Sequence, residues 1–454
     1  MTENIAETLQ ELTLTIMKTV QEGVSKGEFQ PEKELAFRWK LQNFRYTDAG
    51  ITQSQARGDY FTKESWFRAS LKVLERIKQT NSYSNSHEQL RKTFGDDVKF
   101  TSGLETFADQ VIHSCFYEPL TKDARINSLI ANFLKDLRRE PVKYGAEVEL
   151  DGIVLRPETI ELDFGITLRQ PKIEDLEKEM PAYVPMAPNF LLPNPSAYLT
   201  IEFLGRAARE VQIKVERAIT TLRLFRVGSV KYSSYRMYSD SVTDMMARGT
   251  LRSHNEEPAL DKYVVTVEEA TKLRKFWHAI ADYLPPALFE FDQTKADHLT
   301  IAYTRYSDGL LQNGVIERRI ANAMMGMESL YLKRGETQEL AYRLGVRVGK
   351  LLCMLGFDHH EVKRNLSDAY RIRSLFAHGS QLSYKEKRKL ELKYKTLKNL
   401  LVTVLDYLRI SIIVAILLKK GKDELIDILD DSLIDNQKED QLRSLLSSTK
   451  GVIG

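Results

Sequence analysis

Residues 400–418 read LLVTVLDYLRISIIVAILL, and whether this run lies in lipid or in a protein core decides the fold. As a helix it would extend about 28 Å, close to the roughly 30 Å of a bilayer interior. Asp406 and Arg409 stand in its middle. A charge at the bilayer centre costs about 2.5–3.5 kcal/mol on insertion scales. Three residues apart on a helix, the two can instead pair on one face. The run therefore predicts a buried helix of a bundle and no membrane segment.

Working outward, the C-terminal zone divides into four helical stretches. Asp297–Leu332 is one long candidate, with a break near Asn313-Gly314. Glu336–Leu355 is a second, ended by Gly356 in the position where helices favour a left-handed cap. Asp358–Phe376 is a third, ended by Gly379, and Tyr384–Leu418 is a fourth and very long one. Consecutive helices with short connections predict an antiparallel bundle.

Upstream the texture changes. Residues 142–265 mix alternating apolar positions with Gly and Pro, and 146–168, 196–205 and 229–239 read as strands around a helix from Arg206 to Phe225. The segment 180–196 holds five of the 13 prolines and reads as a loop. Residues 1–140 read as helical, with periodic runs at Trp66–Ile77 and Thr106–Leu137. Ile5, Leu9, Leu12, Ile16 and Val20 recur at helical spacing, and no basic region precedes an apolar run as in a secretory signal. The expected fold class is α+β, mainly helical. Its parts are a helical N-terminal region (1–140), a mixed β/α region and candidate sensor (141–265), and a helical bundle with an acidic tail (266–454).

The chain has 454 residues, 66 Lys+Arg against 63 Asp+Glu, and a net charge of +3. That balance excludes a histone-like basic chain and an acidic solvating one, while a local patch can still bind phosphate. Two cysteines, Cys115 and Cys353, build neither a disulfide framework nor a Cys-rich zinc site, and they point to a reducing cytoplasm.

Several motifs dissolve on inspection. Gly345-Val-Arg-Val-Gly-Lys350 is one residue short of a phosphate-binding loop, has Leu351 where a hydroxyl should hold magnesium, and lies in a helical pattern. Asp358-His359-His360 lacks a second Asp/His cluster, and Asp358 sits where a helix N-cap belongs. His113 and Cys115, two apart on an apolar helix, read as packed core in preference to a ligand pair, and the acidic residues at 158–163 lack the spacing of a metal-dependent nuclease.

One segment survives: Ser367-Asp-Ala-Tyr-Arg-Ile-Arg-Ser-Leu-Phe-Ala-His-Gly379. Arg373 and His378 are about 500° of helix rotation apart. If the helix ends at Ala377 and Gly379 takes a left-handed cap, His378 can turn toward Arg373. Arg371, seven residues before His378, is the alternative cation. Such a pair suits metal-free RNA cleavage. Histidine exchanges a proton near neutral pH, and arginine offers a fixed fork of donors to phosphate oxygens. One histidine supplies one acid/base group, so two copies brought together would complete a site. An Arg and a His near a helix end also make a plain capping or salt-bridge arrangement.

With its flanking helices, this segment resembles the HEPN domain family, specifically the Apea-like branch, whose motif is Arg-x(4–6)-His, typically Arg-Ser…His-Gly. Here it reads Arg373-Ser374…His378-Gly379. The stretch 319–352 is similar to the family's aliphatic helix with a buried Glu, here Glu328, followed by a Glu/Leu-rich helix start. The resemblance covers about 300–420. It implies a four- to five-helix bundle that dimerises and brings two Arg/His pairs into one cleft. It also implies a metal-independent endoribonuclease without cofactors. The expected role is a regulated toxin or anti-phage defence effector, cutting RNA such as tRNA under a phage-derived or nucleotide activator. By resemblance Arg373 binds phosphate and His378 is the acid/base. Ser374 stands where active members often carry Asn, Asp or His, and Glu328 either orients Arg373 or is a structural partner. Ser380 replaces the Tyr found two residues after His in the branch regulated by modification, which counts against a subunit serving a nucleotidyltransferase. The alternative function is a non-catalytic HEPN dimerisation or RNA-binding module with an N-terminal sensor.

For RNA, residues 384–398 carry seven Lys/Arg and two Glu, with Lys385, Lys387, Arg388 and Lys389 clustered. Arg206–Arg226 carries six basic and two acidic residues and precedes Tyr232, Tyr235 and Tyr238. Basic runs with aromatics can track phosphates and stack bases, although a solvated face reads the same way. Asp423–Asp440 holds eight acidic residues and reads as a solvated terminal helix.

Overall fold

The computed structural model describes residues 2–48, 50–95, 98–117, 122–179, 195–244, 249–252, 260, 262–289, 296–312 and 314–453. The fold is α+β and mainly helical, with three hydrophobic cores following one another along the chain.

The first core joins helices α1 (Thr2–Ser25), α2 (Phe67–Lys78), α3 (Asn81–Phe94), α4 (Val98–Tyr117) and α5 (Lys122–Leu137). The stripe Ile5, Leu9, Leu12, Ile16 and Val20 of α1 is buried against Val73, Ile77, Leu90, Phe107 and Phe133. Two expectations need correction here. The region is not wholly helical: β1 (Glu32–Thr47) and β2 (Gly50–Ser65) form a long antiparallel hairpin. Its residues Leu35, Phe37, Trp39 and Leu41 alternate with Ala36, Arg38 and Lys40, a period of two that no helix uses. In addition, Thr106–Leu137 is not one run but the end of α4 and the whole of α5.

The second core lies on a six-stranded antiparallel sheet. Its strands are β3 (Val142–Asp151), β5 (Thr159–Asp163), β6 (Ile166–Arg169), β7 (Ala197–Gly205), β8 (Lys231–Ser239) and β9 (Gly249–Arg252), in the order β5-β6-β7-β3-β8-β9. Helix α7 (Ala208–Phe225) sends Val211, Val215, Ala218, Ile219 and Leu222 into this core. The short strands β4 (Ile153–Leu155) and β10 (Tyr263–Val265) pair in parallel beside it. The short helix α6 (Ile173–Glu179) packs under the hairpin, with Leu41 against Leu176. Most of the proline-rich stretch, 180–194, lies outside the described residues. Past the sheet, α8 (Val267–Ile280) serves two cores. Ala270, Leu273 and Trp277 face the sheet, and Phe276 and Ile280 face the bundle.

The bundle consists of α9 (His298–Leu311), α10 (Ile316–Tyr331), α11 (Leu340–Met354), α12 (His359–Ala377) and α14 (Leu397–Leu418). Helix α10 packs against all four others. The decisive run 400–418 is its core: of the most apolar window of α14, 72% is buried within the protein. Arg409 donates to Asp406 at 2.7 Å and to the carbonyls of Leu224 and Phe225 at 2.9 and 3.0 Å. It thereby pairs along its own helix and caps the C-terminal carbonyls of α7, where a cation is favoured.

Three bundle expectations change. The predicted helix Tyr384–Leu418 is broken at Lys395 (φ +67°) into α13 (Tyr384–Tyr394) and α14, because Thr396 caps α14 by accepting from the Asn399 N–H. Glu336 does not begin a helix. It lies before α11 and binds Arg347, which also reaches Asp430. The acidic tail is not a solvated helix. It forms α15 (Lys422–Asp431) and α16 (Asn436–Ile453), which bury Leu425, Leu429, Leu442 and Leu446 against the bundle.

Candidate functional site

The site is built at the C-terminal end of α12. Asp358 caps the start of this helix, accepting from the Glu361 N–H at 2.6 Å. The buried stripe Val362, Asn365, Leu366, Ala369 and Ile372 seats it on the bundle. The helix ends at Ala377. His378 follows at φ −93°, and Gly379 takes φ +68°. Ser380 N–H donates to the Leu375 carbonyl at 2.9 Å, and Gly379 N–H donates to Phe376 at 3.1 Å. This is the paired closure of a Schellman cap. The left-handed glycine expected from the sequence is present, and it stops the helix with the His378 side chain exposed.

Arg373 sits five residues earlier and half-buried. Its Nη2 donates to Oε2 of Glu328 on α10 at 2.9 Å, and its guanidinium lies 5.8 Å from the Tyr370 ring centre. Burial pushes the Glu328 carboxyl above the usual carboxylate range, against the opposing pull of Arg373. The pair is incompletely bonded, since Arg373 Nε and Glu328 Oε1 are buried without hydrogen-bond partners. Among the described residues, no hydrogen bond joins Arg373 to His378. The structure thus brings Arg373 and Glu328 together, and it places His378 on the adjoining turn. Ser374 contributes its carbonyl to the His378 N–H at 3.2 Å.

Arg371 is engaged elsewhere. It pairs with Glu386 at the start of α13, where Glu386 also forms a capping box with Ser383. Lys385, Lys387, Arg388 and Lys389 are exposed on α13, which buries no residue of its own. None of these four makes an ion pair among the described residues. The other basic stretch is different. Arg226 pairs with Glu269, Arg217 with Asp282, and Arg223 bonds the Val230 carbonyl. Tyr232 and Tyr238 donate to Glu216 and Glu202, while Tyr235 is buried. These residues brace the sheet and its neighbours, while Arg206 and Arg209 of the same stretch are exposed.

Beside His378 the structure opens a groove of about 550 Å³ that sequence reasoning missed. Val315, Ile316 and Glu317 line one wall, the last turn of α12 and residues 379–382 another, and Lys387 the rim. Its parts come from three separated segments, so no local spacing announced it. Among the described residues, no group of three His, Cys, Asp or Glu side chains is placed to hold a metal ion. No family model matches the chain, and neither a curated protein nor a solved structure matches it.

Proposed function

We propose that this protein is a metal-independent endoribonuclease of the HEPN type, a cytoplasmic and regulated effector that cuts cellular RNA such as tRNA. One observation carries the reading. A half-buried arginine, held from behind by a single bond to Glu328, lies one turn before the end of the helix whose glycine cap exposes His378. In this role Arg373 binds the non-bridging oxygens of the scissile phosphate and stabilises the charge they gain. His378 takes the proton from the ribose 2′-OH as that oxygen attacks phosphorus. The 5′-oxygen leaves and needs a proton, which the His378 of a second copy supplies. The products are a 2′,3′-cyclic phosphate and a free 5′-hydroxyl. The anti-phage role, the dimer and an activating ligand rest on the family resemblance.

The test is expression of wild type and His378→Ala in cells with mapping of new RNA 5′ ends, alongside purified protein in EDTA. Toxicity and defined cuts present in wild type, retained in EDTA and absent in the variant, are expected. Undiminished cutting by the variant sinks the assignment. A second reading is a non-catalytic dimerisation or RNA-binding module. It is favoured by the absence of a bond between Arg373 and His378, since the Arg373–Glu328 pair alone also serves as a brace. A dimer that binds RNA and leaves tRNA and rRNA intact under activation supports that reading.

A further inference from the structure

We propose that the groove beside His378 is a nucleobase pocket, which takes the unpaired base next to the phosphate offered to Arg373 and His378; the identity of the strand rests on the ribonuclease reading. Glu317 and Lys387 line the same groove, yet neither pairs with the other or with any further charge among the described residues. A nucleotide supplies both missing partners: an exocyclic amine donates to the Glu317 carboxylate, and the flanking phosphate meets Lys387. The walls between them suit a flat, apolar-faced ring. Ile316, Ile372, Leu375 and Leu382 form them, and Phe376 stands 38% exposed at the rim, one turn beyond buried Ile372. Gly379 adds a wall of bare backbone, and a Cβ built there meets nothing within 4 Å. The volume of about 550 Å³ is of the size that small ligands fill. His378 immediately precedes that glycine, so a strand seated by its base lays its phosphodiester on the catalytic turn. Because Glu317 accepts, the preferred base carries an amino group: adenine, cytosine or guanine over uracil.

The full chain is titrated with a 2′-O-methyl nonamer carrying a central 2-aminopurine, which has the amine and cannot be cleaved by 2′-oxygen attack. Quenching of its fluorescence on binding is expected, and Phe376→Ala should weaken binding by about tenfold. Competition by nonamers with central adenine or uracil should favour adenine in wild type and level out in Glu317→Gln. Lys387→Ala should reduce the slope of log affinity against log salt by about 0.7, the value for one phosphate contact on a single strand. Equal affinity in wild type and Phe376→Ala overturns the pocket. So does a Phe376→Ala chain that falls from dimer to monomer in light scattering while it binds the nonamer normally, because the groove then seats a second copy. Cleavable RNA left equally intact by wild type and His378→Ala rejects the ribonuclease reading alone. Phe376-dependent quenching then leaves the pocket standing.

Discussion

Two arginines lie against α10 and are treated in opposite ways. Arg347 of α11 is 3% exposed and saturated. It donates to both oxygens of Glu336, to both of Asp430 and to the Tyr331 carbonyl, at 2.7–2.8 Å. Arg373 of α12 is 26% exposed, makes one bond, and leaves its Nε without a partner. A buried guanidinium with every donor matched contributes to the fold and has nothing left for a ligand. One that is anchored at a single point and partly exposed keeps Nη donors for a phosphate. Incomplete satisfaction beside an exposed histidine is what separates the candidate site from the structural ion pairs around it.

The comparison breaks most sharply under paired alanine substitutions. Arg347→Ala removes five hydrogen bonds, leaves Glu336 to Arg343 and the Lys333 N–H alone, and should destabilise the chain by about 3 kcal/mol in urea titration. Arg373→Ala leaves Glu328 without its one bond, a loss softened because burial already favours the neutral carboxyl; it should cost about 1–2 kcal/mol in the same titration and lower RNA cleavage by about 10²–10³. Equal losses of stability would make Arg373 another brace. Next, His378→Ala removes an exposed side chain. It should lower the cleavage rate by about 10²–10⁴ with the urea midpoint held within about 0.5 kcal/mol.

A smaller effect appears in acid. The Arg347 hydrogen bonds hold the Glu336 carboxyl down to about 2. A carboxylate lowered on folding contributes stability that is complete above its unfolded value near 4.5 and fades as pH falls from there toward 2. Acid unfolding of wild type should steepen in that window, and Glu336→Gln should flatten it. Glu328 has the opposite sign. Burial raises its pKa, so Glu328→Gln should not weaken the acid limb. The smallest effect is expected for Gly379→Ala. Nothing crowds a Cβ there, so only the φ of +68° resists, at about 1–2 kcal/mol. The cleavage rate should fall further than that strain alone predicts if the cap aims His378.

Much of the bundle was legible because its signals are local. Asp358, Gly356 and Gly379 mark helix ends by backbone chemistry, and all three do so in the structure. The hairpin was legible too, in the alternation Leu35, Phe37, Trp39, Leu41, but it lay between long helical runs and read as part of them. The split at Lys395 is a different kind of miss. Thr396 is a sound cap, but the apolar periodicity on both sides continues through it.

By itself the sequence determined the caps that end helices α11 and α12, the helical face that is buried in α1, and that Asp406 with Arg409 marks a core helix and not a lipid-facing one. These follow from side-chain period, capping chemistry and the cost of charge in lipid, all read within a few residues. Only the tertiary structure decided which cations remain open. It assigned Arg371 to Glu386 and Arg347 to Glu336 and Asp430, and left Arg373 one bond to Glu328. It also set Glu317, Phe376 and Lys387 around one groove. Partnering of charges depends on distances between segments far apart in the chain, and no local pattern encodes those distances.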